Sequence, residues 1–120
     1  MASKERVEHY RRLDGKYLRE AEELLAKKDF PQASEKFWGA VAEIIKTMAA
    51  KSGVTLGTHR SLAEYVERLQ AEHPELDLAR AFDAAEGLHI NFYEDHLPKA
   101  TVTRRAEAVR EFIKNIEQLL

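Results

Sequence analysis

The stretch FPQASEKFWGAVAEIIKTMAAK, residues 30–51, decides the fold. Phe37, Val41, Ile44 and Met48 recur at intervals of four, three and four residues, with Trp38 and Ile45 alongside. That period matches one face of an α-helix and rules out the alternation of a strand. Asp29 and Pro31 mark its start, an acceptor side chain near the cap followed by a residue that needs no N–H there. Gly53 marks its end.

The same spacing continues on both sides of it. A first helix is expected over about Lys4–Lys28, with Val7, Tyr10, Tyr17, Ala21 and Leu24 on one stripe and Leu18 and Leu25 beside it. Gly15 should loosen its early turns, at about 1 kcal/mol relative to alanine. After the loop GVTLGTH, capped by Thr58 or Ser61, a third helix over about His59–Glu72 carries Leu62, Tyr65, Val66 and Leu69 and stops at Pro74. A fourth, about Glu75–Asp95, carries Leu78, Phe82, Ala85, Leu88 and Phe92 and ends before Pro98. The last starts near Thr101 and runs to the C-terminus on Val102, Ala106, Val109, Ile113, Ile116 and Leu120.

Short connections make consecutive helices antiparallel neighbours, so the expectation is an all-α, up-and-down bundle of four to five helices in one domain, 1–120. KKDFPQASEKFWGAV looks like half a tetratricopeptide repeat, but no second copy follows. A chain of 120 residues buries roughly two thirds of its unfolded surface. A core therefore forms without staples, and there is no cysteine to supply them. Nineteen Lys and Arg against 21 Asp and Glu leave a net charge of −2, which exerts no general pull on nucleic acid. Met1–Arg12 lacks the apolar run of a signal peptide, and no window reaches the ~20 apolar residues of a membrane span. The reading is a cytoplasmic protein without membrane contact.

The chemistry is concentrated in EGLHINFYEDHLP, Glu86–Pro98. On a wheel of 3.6 residues per turn, His89 falls on the apolar face of the fourth helix, and so does His96 if the helix persists that far. Tyr93 lies on the edge of that face, Glu86 flanks it, and Asn91 points nearly away. His89, Tyr93 and His96 are the candidates for an acid–base step, and His89, Asn91, Tyr93 and Glu86 for ligand binding. A packed histidine held by one carboxylate is the plainer account of His89. Glu86-x-x-His89 has the form of half a di-iron site, but no second copy accompanies it, so no metal or cofactor is expected. Phosphate-loop, nucleophile-elbow and zinc-protease motifs are missing as well.

Three pieces in order, YLREAEELLAKKDFPQASEKFWGAVAEIIK (17–46), THRSLAEYV (58–66) and LHINFYED (88–95), resemble the archaeal PaREP-type repeat families. Those are similar to the HEPN superfamily and to the helical substrate-binding subunits of minimal nucleotidyltransferases. The resemblance implies a helical bundle, frequent homodimers, and nucleotide or RNA contact at the dimer cleft. Partners implied are a nucleotidyltransferase or a toxin–antitoxin-type protein. HEPN ribonucleases carry an arginine four to six residues ahead of a histidine. Here Arg80 precedes His89 by nine, and His96 stands nearest to the place of the missing arginine. The resemblance thus implies a noncatalytic HEPN-like binding module, with an RNA-cleaving or nucleotide-modifying enzyme using His89 and His96 as the alternative. Trp38 and Phe112, beside the main stripes, suggest surplus apolar surface for a homodimer.

Overall fold

A computed structural model describes residues 3–120. Over these residues the chain is all-helical: α1 (Ser3–Ala26), α2 (Phe30–Lys51), α3 (His59–Glu72), α4 (Leu78–Glu94) and α5 (Lys99–Leu119). No described helix is long and apolar enough to cross a membrane.

Helix α2 is the hub, packed against each of the other four, while α1 packs its backbone closely on α2 alone. The α2 stripe predicted its own burial: Phe37, Val41, Ile44 and Ile45 are fully buried. Burying a side chain of this size contributes about 1.5–3 kcal/mol. Leu62, Val66 and Leu69 of α3, Leu78, Phe82 and Leu88 of α4, and Val102, Val109, Phe112 and Ile116 of α5 close around them in one cluster. Trp38 and Phe112 are buried too, which removes the apolar surplus they suggested.

The ends of α2 and α3 fall where the caps predict. Asp29 Oδ1 accepts from Gln32 N at 3.3 Å. Thr58 and Ser61 cap reciprocally, each hydroxyl accepting the other's backbone N–H at 3.0 Å. Helix α4 starts three residues later than expected, because a side chain from α3 supplies its cap. Gln70 Oε1 accepts from Leu78 N (2.8 Å) and Ala79 N (2.9 Å), while its amide donates to the carbonyls of His73 and Leu76. Helix α5 starts two residues earlier, directly after Pro98, whose carbonyl accepts from Val102 N.

Gly15 does not loosen α1, which is continuous from Ser3 to Ala26. Its buried residues are Asp14 and Ala21. Asp14 belongs to no apolar stripe, yet it is buried on the helix that packs on α2, with Oδ1 lacking a hydrogen-bond partner. Burial above all, then the nearby charge of Glu117, raises its carboxyl from 3.8 to about 7, with Glu43 adding and Arg11 opposing. Glu43 Oε2, from α2, is likewise buried without a partner.

Candidate functional site

Two helices each place an acid one turn ahead of a ring: Glu35 and Trp38 on α2, Glu86 and His89 on α4. Because α2 and α4 pack together, and α3 begins beside both, three rings converge. His59, the first residue of α3, stacks on Trp38 with centroids 4.9 Å apart, and His89 stacks on it at 5.2 Å. Imidazoles on opposite faces of one indole at those spacings would stand roughly 10 Å apart. Theirs stand 6.0 Å apart, so both rings lie over the same face of Trp38. Phe82 closes the group edge-on to Trp38 at 5.6 Å.

The acids are exchanged between helices. His89 Nδ1 bonds Glu35 Oε1 at 2.8 Å, and His59 Nε2 bonds Glu86 Oε2 at 2.5 Å. Donation by those N–H groups assigns the ring tautomers, as a hydrogen bond at one nitrogen decides the role of the other. His89 Nε2 and His59 Nδ1 make no hydrogen bond within the described residues, and the side chains are 31% and 46% exposed. Each imidazole is therefore held rigidly by an indole and a carboxylate, with one nitrogen left over. It can accept a proton or a hydrogen bond there, and donate once protonated.

Beside His59 opens a cleft of about 320 Å³ lined by Trp38, Lys46, Thr58, His59 and Leu62 among others. Lys46 is its cation, steadied by Glu43 at 3.4 Å and lying over the Tyr10 ring. Since each imidazole already faces a carboxylate, Lys46 supplies the charge that would favour an anion in this cleft.

Of the residues singled out in the sequence, His89 and Glu86 reach this site, though as halves of separate pairs. Their carboxylate and imidazole go to different partners, so Glu86-x-x-His89 does not converge on one point. Tyr93 stands edge-on to His89 at 5.6 Å but is 72% exposed, further out than the wheel put it. The wheel reading of Asn91 is reversed: it is fully buried. Its Nδ2 donates to Ser34 Oγ (3.1 Å), and its Oδ1 accepts from His96 N (2.9 Å) and Leu97 N (2.8 Å). A wheel treats the helix as isolated, whereas here the chain after α4 folds back over that side. His96 is not on the inward face, because α4 ends at Glu94 with Asp95 left-handed at φ 45°. The His96 ring pairs with Glu94 at 3.5 Å and is half-exposed.

His59 and Glu35 were not singled out by spacing, since their hydrogen-bond partners lie 27 and 54 residues away in the chain. The one available signal was the repeated acid-x-x-ring pattern, Glu35-x-x-Trp38 and Glu86-x-x-His89.

An all-helical bundle with an imidazole pair stacked on the tryptophan of its hub helix is the class that fold and site define. Residues 9–113 match the Archaeal PaREP1/PaREP8 family, and the chain belongs to that family. It is similar to the crystal structure of a protein from Sulfolobus solfataricus, with a TM-score of 0.78 at 24% identity over 88% of this chain and 94% of that one. That likeness establishes the shared fold. No curated protein matches the chain.

Proposed function

We propose that the chain is a noncatalytic, HEPN-like binding module, acting as a single domain, that receives a phosphate-bearing ligand at the His59–His89 pair. The ligand class is a nucleotide or an RNA strand. A protein partner such as a minimal nucleotidyltransferase would present it or cover it. The observation that carries this reading is the pair of carboxylate-anchored imidazoles on one face of Trp38, each with a ring nitrogen unused. Lys46 gives the adjoining cleft a cation, and the exposed ring of Tyr93 offers a surface for a base to stack on. The Asn91 amide is consumed by the fold and acts only by fixing the end of α4.

The pair also favours one second reading, acid–base chemistry on RNA. Two fixed imidazoles meet the geometric demand for one base and one acid, with His59 in the role that the sequence reading gave to His96.

Trp38 is the sole tryptophan, so its emission reports on both imidazoles. Titration with adenosine monophosphate and with a short single-stranded RNA should change that emission saturably in the parent protein. The change should vanish in His59→Gln and His89→Gln at unaltered melting temperature. RNA that binds and stays intact supports the module, whereas cleavage lost in either variant replaces it with the enzyme. Emission indifferent to both ligands would sink both readings.

A further inference from the structure

Helix α1 is fastened unevenly along its length. Its second half joins the core through Ala21, with Tyr17, Leu18, Leu24 and Leu25 packed against that core. Two ion pairs fasten the same half, Glu20 to Lys36 at 3.5 Å and Glu22 to both prongs of Arg110. Val7, Tyr10 and Leu13 of the first half belong neither to the core cluster nor to the residues packed on it. This half reaches α5 by an exposed ion pair, Arg11 to Glu117 at 3.6 Å, and α2 by the Tyr10 ring, 5.9 Å from the Lys46 ammonium. Exposed pairs contribute little, and a segment with few buried apolar contacts opens before the rest of a fold does.

The buried residue of that half is Asp14, which at 100° per residue faces nearly the same way as Tyr10, one turn earlier. Asp14 Oδ1 has no hydrogen-bond partner, and neither has Glu43 Oε2 on α2. The charges that act on Asp14 are Glu117 from α5, Glu43 from α2 and Arg11 on α1 itself, two acids against one base. Lys46, the cation on this side of α2, is taken up by Glu43 and Tyr10. With its proton, Asp14 is a small neutral group that fits beneath the helix. Without it, Asp14 is a buried anion beside two acids, and lifting the first half of α1 gives it water. Burial first, then those acids, set that exchange at about pH 7.

We infer that the first half of α1 is a strap, held down by a proton on Asp14, that fixes Lys46 through Tyr10. While the strap is closed, Lys46 is set between Glu43 and Tyr10 at the edge of the cleft beside His59. Lifting removes Tyr10, and any anion that binds there must then order the lysine itself, which lowers its affinity. The negative charge on Asp14 acts in the same direction. By reciprocity, an anion at Lys46 favours the closed, protonated strap. The strap stands on α1 by itself, while its effect on a ligand rests on the reading of the imidazole cleft as an anion site.

Amide exchange, corrected for its intrinsic pH dependence, tests the strap without any ligand. Protection at Tyr10–Leu13 should be lower than at Ile44 and Ile45 of α2. Between pH 6 and pH 8 it should fall about tenfold, because Asp14 gives up its proton at its ordinary value when the strap is open and at about 7 when it is closed. Asp14→Asn should show no such fall. Adenosine monophosphate, followed by Trp38 emission, should lose more affinity over the same interval in the parent than in Asp14→Asn, which keeps both histidines. Three results overturn the inference: Tyr10–Leu13 as protected as Ile44 and Ile45, the same fall in Asp14→Asn, or adenosine monophosphate bound and weakened equally in both proteins. If adenosine monophosphate does not bind at all, the anion site is refuted, and the exchange contrast still decides for or against the strap.

Discussion

Asn91 and Asp14 are both buried polar side chains, on opposite flanks of α2, and they are handled in opposite ways. Asn91 spends its donor on Ser34 and its acceptor on two backbone N–H groups. Asp14 keeps one oxygen with no partner, under the influence of Glu117 and Glu43. A buried group whose bonds are made holds the fold together. A buried acid without them favours the form that carries no charge, so it couples stability to pH.

The largest effect is expected from Asp14. Its folded-state value lies above its unfolded one, so the folded protein holds this proton more tightly. The protein is then most stable below about pH 3.8 on this account, loses stability as pH rises toward about 7, and changes no further above that. At about 1.4 kcal/mol per pH unit the loss is on the order of 4 kcal/mol. Asp14→Asn should be the more stable protein in urea at pH 8, with the advantage shrinking toward pH 4. A variant that is less stable than the parent at pH 8 would break the contrast. Asn91→Ala should cost about 2–4 kcal/mol, from two uncapped N–H groups and a stranded hydroxyl. Its loss should be the same at pH 5 and pH 8, and a pH-dependent loss would erase the distinction between the two flanks.

Smaller effects sharpen the same contrast. Gln70→Ala removes both acceptor bonds at the start of α4 and should cost about 1–2 kcal/mol, with amide exchange accelerated at Leu78 and Ala79. Smallest is Glu22→Gln. Glu22 takes both prongs of Arg110 at 2.6 and 2.7 Å, and that bond raises the guanidinium further above its ordinary value. Yet both side chains are 39% exposed, and solvent screening holds the expected cost to about 0.5 kcal/mol in a melting curve at low salt.

Helix number, and the bounds of α2 and α3, were legible because apolar period and capping residues agree locally. The start of α4 was not, since its cap comes from Gln70, eight residues upstream and on another helix. Asn91 misled for a related reason: its side chain answers to Ser34 on α2 and to the loop that follows α4. Asp14 left no trace in the apolar pattern, because its burial comes from the way α1 packs on the rest of the bundle and not from its own residue type. Half of the histidine site was readable, as His89 and Glu86. The other half, His59 with Glu35, exists only through the packing of α2, α3 and α4.

The hub position of α2 has a consequence for how the chain is made. Synthesis delivers α2 with α1 already beside it, so one flank is covered at once. The faces that carry Phe37, Ile44 and Ile45 must wait until residues beyond Leu78 emerge, since α4 and α5 supply much of their cover. A ribosome paused between α3 and α4 would therefore hold a nascent chain whose most apolar helix is clothed on one side and bare on the other. That interval, rather than either end of the chain, is when a transiently exposed apolar face is most open to aggregation.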